Sequence, residues 1–555
     1  MMDTRPDTWS ATDGLGRSLK TGDGLRSGKT VGVFYFLANN VPGAPVYDIT
    51  KILAANPKSP TYGPPLTGHW WGEPWLGYYL SDDPAVIRKH MQMLTDAGVD
   101  VIVFDNTNGP TYPDVYIPLC KVLAEMRAKG NKTPQIAFFT GHGAWNTLYN
   151  DLYSKGLYRD LWFQWKGKPL MMVHLEDGDH LPDTVKSFYT VRESWAWTPS
   201  SWFGDGHDKW PWLDNYPQNY GWHEDPKRPE QVSVSVAQHA TSSIGRSSLA
   251  QHEPPLDDQR LSPDTPNGLC FSQQFERALQ IDPEFIFVTG WNEWTATRFP
   301  LGQDGQFAGK PGKKDDPMFV DEYNAEFSRD IEPAKGLLQD NYYYQFVQFV
   351  RRFKGSRTES PVTRKSILVA KEFSQWAKVR PEYLDDIGDP VHRDHAGWAN
   401  LKYTNQTGRN DIVAAKVAYD DKFLNFYVRT KEPLSPSTDP NWMLLFLDVD
   451  ANSKTGWQGY DFVLDRSMGT QTTWLERSVG NTYRWSPVVA VKYRAAADEL
   501  MISVPRSALQ LGAGRHTIDF KWADNIQQTG DPSDFTLNGD SAPNDRFNYR
   551  AVIEN

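Results

Sequence analysis

Residues 285–294 read Phe285-Ile286-Phe287-Val288-Thr289-Gly290-Trp291-Asn292-Glu293-Trp294. The first four are apolar, the length suits a strand buried on both faces, and Gly290 ends the run. An indole, an amide, a carboxylate and a second indole follow at once. A carboxylate just past the C-terminal end of a parallel strand stands where barrels of alternating strand and helix keep their chemistry. Flanking indoles offer flat apolar faces to sugar rings and low-dielectric walls that raise a carboxyl pKa.

Working outward, the same grammar recurs over about 330 residues. Val31–Leu37 reads as the first buried strand. A helix over Asp83–Ala97 has an acidic cap and Pro84 in its first turn. Val99–Phe104 is the next strand, ended by Asp105. A helix over Val115–Lys129 leads to strand Gln135–Thr140, which stops at Gly141-His142-Gly143. Pro169–Leu175 is a fourth strand, ending at Glu176-Asp177. Weaker strands read at Phe188–Trp195 and Val232–His239, and a helix at Ser272–Ile281 precedes the 285–288 strand. Tyr342–Phe353 reads as a closing helix, while an eighth strand does not stand out.

Alternation of this kind predicts an α/β fold, a (β/α)8 TIM-type barrel over residues 31–357. No G-x-G-x-x-G follows the first strand, which argues against a dinucleotide fold. Residues 1–30 are polar and Gly-rich and read as an N-terminal extension wrapping the surface. After a Ser/Thr/Pro linker at Gly355–Arg364 the period falls to two, in Ile412–Val417, Phe423–Val428, Trp442–Leu447, Leu500–Val504 and His516–Trp522. Residues 365–555 therefore read as an antiparallel β-sandwich.

Composition narrows the function classes. The net charge of −11 comes with no basic stripe, which argues against nucleic acid and anionic membranes as partners. No run of 18 apolar residues exists, so no transmembrane segment is expected. Met1-Met2-Asp3-Thr4-Arg5-Pro6 lacks the apolar core of a signal peptide. Two distant cysteines, Cys120 and Cys270, make neither a disulfide framework nor a thiolate metal site. The outlier is 22 Trp, many in loop-like sequence such as Gly68-His69-Trp70-Trp71-Gly72-Glu73-Pro74-Trp75. Such context suits a carbohydrate cleft better than a core.

Glycoside hydrolysis needs two carboxyl groups, one protonated and one ionised. Glu293 is the first catalytic candidate. Glu176, after the fourth strand, is the first choice for its partner, and Asp105, followed by Asn106, Thr107 and Asn108, is the rival. Trp70, Trp71, His142, Trp291, Asn292 and Trp294 are the candidate substrate-binding residues. No H-E-x-x-H or similar spacing points to a catalytic metal, and no cofactor is expected to be required. In the second domain, Asp448, Asp450 and Asn452 alternate like the start of a calcium loop, without the Gly and terminal Glu of an EF-hand.

The WNEW strand end at 291–294, the VGVFYF strand at 31–36 and the VDVIVFDNT strand at 99–107 resemble endo-α-mannosidase-type glycoside hydrolases. That resemblance covers about residues 30–355 and implies a hydrolase barrel with Glu293 as a catalytic carboxylate. The family's second Glu, three residues on, corresponds to Ala296 here, so Glu293 alone carries over. Residues 365–555 resemble xylanase-associated carbohydrate-binding β-sandwich modules, through IVAAKVAYDDKFLNFYV and LLFLDVDANSKTGWQGYDF. Trp457, Tyr460 and Trp474 are the stacking candidates there.

The expectation is a glycoside hydrolase acting on an oligo- or polysaccharide, located in the periplasm or outside the cell. The alternatives are a non-catalytic glycan-binding protein on the same scaffold and a polysaccharide lyase.

Overall fold

The computed structural model describes residues 1–554 except 177–179, 200, 238–261, 304 and 308–309. The first domain is mixed α/β. Its parallel strands are β1 Thr30–Tyr35, β2 Val101–Asn106, β3 Gln135–Thr140, β4 Lys168–Val173, β5 Thr190–Glu193, β6 Gln231–Ser235 and β7 Phe285–Thr289. The helices that cover them are α1 Pro84–Asp96, α2 Pro113–Ala128, α3 Leu269–Ile281 and α4 Asn341–Lys354. These elements fall where apolar runs and caps predict them. Asp83, for example, caps α1 through its carboxylate, which accepts the Ala85 and Val86 N–H groups.

The parallel ladders run β5-β4-β3-β2-β1-β7-β6, seven strands in all. Alternate residues of the curled sheet have separate destinations. Phe34, Val101, Val103, Ala137, Phe139, Leu170, Met172, Phe285 and Phe287 point inward into one apolar cluster. Val33, Ile102, Phe138, Val173, Val234 and Val288 point outward, under the helices.

The strands among the described residues do not complete the closed eight-stranded barrel expected from sequence. Among the described residues β5 and β6 share no ladder, and the sheet is a curled half-barrel. The chain at 207–213 passes through the gap, meeting β5 at the bridge Glu193↔Lys209 and the Arg192–Asp208 ion pair, with the bridge Ala196↔Leu213 just beyond the strand. A buried ion pair fills the space behind it. The Arg192 guanidinium donates to Glu230 at 2.7 and 2.8 Å, and the Trp165 and Trp210 indole N–H groups donate to the same carboxylate at 2.9 and 2.7 Å. Burial pushes the Glu230 carboxyl up, yet these four donors outweigh it and hold the group below its ordinary range.

The second domain is a twelve-stranded, almost wholly antiparallel sheet bent around its own core. Leu424, Phe426, Val428, Leu500, Ile502, Val504, Ile518 and Phe520 line the inside at every second position. Its first hairpin, Ile412–Tyr419 with Phe423–Thr430, turns at Asp420, whose carboxylate accepts the Lys422 and Phe423 N–H groups at 2.8 Å each.

The two domains are welded together. Trp9, from the N-terminal segment expected to lie on the surface, is buried against Phe547 and Tyr549. Tyr343 and Tyr344 of α4 meet Phe547, Trp70 meets Trp398 edge-on, and Arg393 reaches across to Asp83 at 2.7 Å. No helix among the described residues is long and apolar enough to cross a membrane.

Inside the half-barrel, Gly32 of β1 is required by packing. A Cβ there would lie 2.5 Å from the Phe285 ring, which is wedged against Trp165 and Trp210. Gly32→Ala should therefore destabilise the chain by about 1–3 kcal/mol through overpacking. Adding Phe285→Leu should recover part of that loss in denaturant titrations. A neutral Gly32→Ala would show that the register is wrong.

Candidate active site

The motif after β7 is a hub before it is a site. Asn292 clips the end of β1, its Oδ1 accepting the Phe36 N–H at 2.9 Å while its Nδ2 donates to the Phe36 carbonyl at 3.1 Å. Trp294 stacks on Trp71 with ring centroids 4.5 Å apart, and its indole N–H donates to Glu332 at 2.6 Å. Trp291 packs outward against His90 and Tyr343. These anchors leave Glu293 fixed at the C-terminal mouth of the sheet, 5 % exposed.

What faces Glu293 comes from residues 321–332, Asp-Glu-Tyr-Asn-Ala-Glu-Phe-Ser-Arg-Asp-Ile-Glu. This stretch runs back beside the motif: the Gly290 N–H donates to the Arg329 carbonyl, and the Ile331 N–H donates to the Gly290 carbonyl at 3.1 Å. The Arg329 side chain is fully buried. Its Nη2 donates to Glu293 Oε2 at 2.7 Å, its Nε lies 3.3 Å from Glu322 Oε1, and its Nη2 lies 3.4 Å from Asp321 Oδ1. The guanidinium sits 5.1 Å from the centroid of the Trp212 ring, a cation–π contact in a desolvated setting. Asp330 accepts the Glu293 backbone N–H at 2.6 Å and the Trp71 indole N–H at 2.8 Å.

One cation thus serves three carboxylates, two of them buried. Burial raises the Glu293 carboxyl most, Arg329 opposes it, and Asp321 and Asp330 add to the rise, leaving it at about 8. Burial likewise drives Glu322 well above the carboxylate range, with Asp330 adding to it. Two buried anions cannot both be ionised against one shared guanidinium, so the cluster retains a proton at neutral pH.

Asp105 ends β2 and points inward by the pleat, in the same sense as Val101 and Val103, and it is 8 % exposed. Its Oδ1 accepts the Thr107 N–H at 3.0 Å and the Thr107 hydroxyl at 2.7 Å. Burial raises its carboxyl and these two donors resist the rise, with Asp321 and Arg329 acting on it in opposite senses. Only β1 separates β2 from β7 in the sheet.

Glu176 is placed differently. Three strands lie between β4 and β7 on the sheet path. The Glu176 side chain is half exposed and lies 3.4 Å from His142 Nδ1, itself half exposed. Its neighbour Asp177 lies outside the described residues, as do the last two residues of the predicted 232–239 strand.

The indoles expected to stack on sugar are spent on the fold. Trp70, Trp71, Trp291 and Trp294 are at most 2 % exposed and Asn292 is 1 % exposed, so none has a free face for a ligand. The strand Thr295–Pro300 pairs with Gly68–Trp70 above the mouth and, with the second domain, covers them. Half-buried aromatics are found instead at Trp195, which stacks on His174 with centroids 3.7 Å apart, and at Trp197 and Trp202. Trp195 lies 6.1 Å from Trp212, beside Arg329. Arg329, Glu322, Asp321 and Asp330 escape sequence reading, and the only trace of them is a lone Arg in an acid-rich stretch.

In the second domain the alternating loop folds as a chain of turns. The Asn452 N–H donates to Asp450 at 3.0 Å, and Asp461 joins Asp448 and Asp450 with carboxylate oxygens within 4.8 Å of one another. Trp457 and Tyr460 are core residues, and Trp474 is exposed.

No family model and no curated protein matches the chain. Among solved structures, a GH99 endo-alpha-mannosidase from Bacteroides thetaiotaomicron is 14 % identical at a TM-score of 0.33, over 59 % of this chain and 98 % of that one. A glycoside hydrolase-like protein is 10 % identical at a TM-score of 0.30, over 61 % and 97 %. An endo-beta-1,4-mannanase from Thermotoga petrophila is 9 % identical at 0.22, over 88 % and 98 %. Scores this low arise between unrelated topologies too, and the chemistry is carried by the side chains alone.

Proposed function

We propose that this protein is a glycoside hydrolase of oligo- or polysaccharides in which Glu293 is the general acid and Asp105 the ionised partner. The observation that carries the reading is a buried carboxyl tied to Arg329 at the C-terminal mouth of a parallel sheet, with a second inward carboxylate beyond a single intervening strand. In the reaction the Glu293 proton passes to the glycosidic oxygen as its bond to the anomeric carbon breaks. Asp105 either bonds to that carbon or takes a proton from the water that attacks it, and water supplies the hydroxyl of the product. Arg329 positions Glu293, and Trp195 and Trp212 form the apolar wall. Glu176 and His142 stand at the rim, where they reach a sugar hydroxyl rather than the bond being cleaved. A polysaccharide substrate places the enzyme outside the cytoplasm.

One observation favours a second reading, a glycan-binding protein without turnover. Glu293 is nearly buried and tied to Arg329, and Ala296 is a buried strand residue paired with His69. Binding without product after long incubation would support it.

A screen of defined oligosaccharides supplies the substrate for the test. Glu293→Gln should lower kcat/KM about 10²–10⁴-fold with an unchanged melting temperature, and Asp105→Asn should do likewise. Glu176→Gln should retain most activity. A fully active Glu293→Gln would overturn the assignment.

The pH profile gives an independent check. An acid with a pKa of about 8 is competent below that pH, so kcat/KM should decline as pH rises through it. Asp321, partly exposed, helps keep the proton on Glu293. Asp321→Asn should therefore move the basic limb to lower pH, by less than about one unit. A limb that stays put or moves upward would contradict the charge sharing.

A further inference from the structure

A second set of buried carboxylates lies at the seam between the domains, away from the mouth. Strand Glu382–Leu384 runs into Asp385-Asp386-Ile387-Gly388-Asp389, which presses on helix α1. Asp385 is 0 % exposed, and among the described residues no donor reaches either of its carboxylate oxygens. Asp389 accepts the Gln92 amide of α1 at 2.7 Å through Oδ2, while its Oδ1 is buried without a donor. Asp540, also buried, accepts the Ile412 N–H at 2.7 Å. One oxygen from each of Asp385, Asp389 and Asp540 lies within 4.8 Å of the other two.

Protein cations do not account for this group. The Lys521 ammonium, buried nearby, donates to the Pro543 carbonyl. Lys89 stands 3.7 Å from Asp545, whose own oxygens also lack donors. Asp386 and Asp411 crowd the same seam, so with Asp545 there are six carboxylates against four ammonium groups, those of Lys89, Lys521, Lys129 and Lys431. An isolated buried carboxylate is too costly to persist without a cation or a proton.

The spacing admits a cation. Oxygens bound about 2.3–2.6 Å from a calcium ion are separated by at most about 5 Å across it, a limit that these three oxygens meet. The donors are all carboxylate oxygens, with neither imidazole nor thiolate, as a hard cation prefers.

We propose that Asp385, Asp389 and Asp540 are the protein ligands of a calcium ion that fixes the 385–389 loop against helix α1 and so joins the two domains. Nothing in this site draws on the glycosidase reading, and it differs from the Asp448, Asp450 and Asp461 loop on another part of the sheet.

The test uses the full chain stripped with EGTA and titrated with calcium chloride, followed by calorimetry, elemental analysis after dialysis, and thermal melting. Calcium should bind and raise the melting temperature. Asp385→Asn and Asp389→Asn should each lose one calcium per chain together with that rise, whereas Asp450→Asn, in the other loop, should keep it. In EGTA, Asp385→Asn should melt above the wild type, because a buried anion with no counter-charge has been removed. Asp389 is only partly buried, so its variant serves if the Asp385 variant fails to fold. Absence of calcium binding to the wild type, or unchanged stoichiometry in both variants, would overturn the proposal.

Discussion

The Arg329 guanidinium is the one cation on which the mouth of the sheet depends. It joins β7, through Glu293, to the 321–332 stretch, through Glu322 and Asp321, and it rests on Trp212 in the gap of the half-barrel. Removing it would leave two buried carboxylates facing each other, a loss of about 3–5 kcal/mol by comparison with other broken buried pairs. Because it is shared, it positions Glu293 without stripping its proton. Glu230, on the same sheet, shows the opposite outcome. There four donors converge on one carboxylate and keep it ionised. Two buried glutamates of one domain are thus shifted in opposite directions, Glu230 down by its four donors and Glu293 up against one shared guanidinium, and Glu293 is the one suited to act as an acid.

Geometry also separates the mouth from other hollows. A cavity of about 680 Å³ lies by Thr30, Asp100 and Gln135, where the strands begin. Another of about 480 Å³ lies on the domain seam beside Asp389 and Gln92. Neither includes Glu293 or Asp105. Volume alone would send the reader to the wrong end of the sheet, whereas the inward carboxylates single out the C-terminal end.

Much of this was legible in the sequence for a physical reason. A strand buried on both faces must be apolar throughout, so β1, β2, β3, β4 and β7 announce themselves, and a carboxylate that directly follows one is placed by the strand. Glu293, Asp105 and Glu176 were all readable in that way, and only the structure separates the half-exposed Glu176 from the two buried carboxylates. Arg329 was not, because it lies in a polar stretch without period and its contact with Glu293 spans 36 residues. The tryptophans misled for a related cause. Gly and Pro around Trp70 and Trp71 look like a loop, and nothing local reveals that Thr295–Pro300 and Trp398 will cover them. The alternation likewise suggests a closed barrel, although a loop and the Arg192–Glu230 pair occupy the gap between β5 and β6.

Glu293 is held protonated at neutral pH by its burial, because the single guanidinium that opposes this is divided among three carboxylates. Infrared difference spectra between the wild type and Glu293→Gln, recorded as a function of pH, read that proton directly through the carboxylic acid C=O stretch. The account predicts a protonated band at pH 7 that disappears with a midpoint near 8. A Glu293 carboxyl already ionised at pH 6, with a midpoint near the ordinary glutamate value, would contradict it.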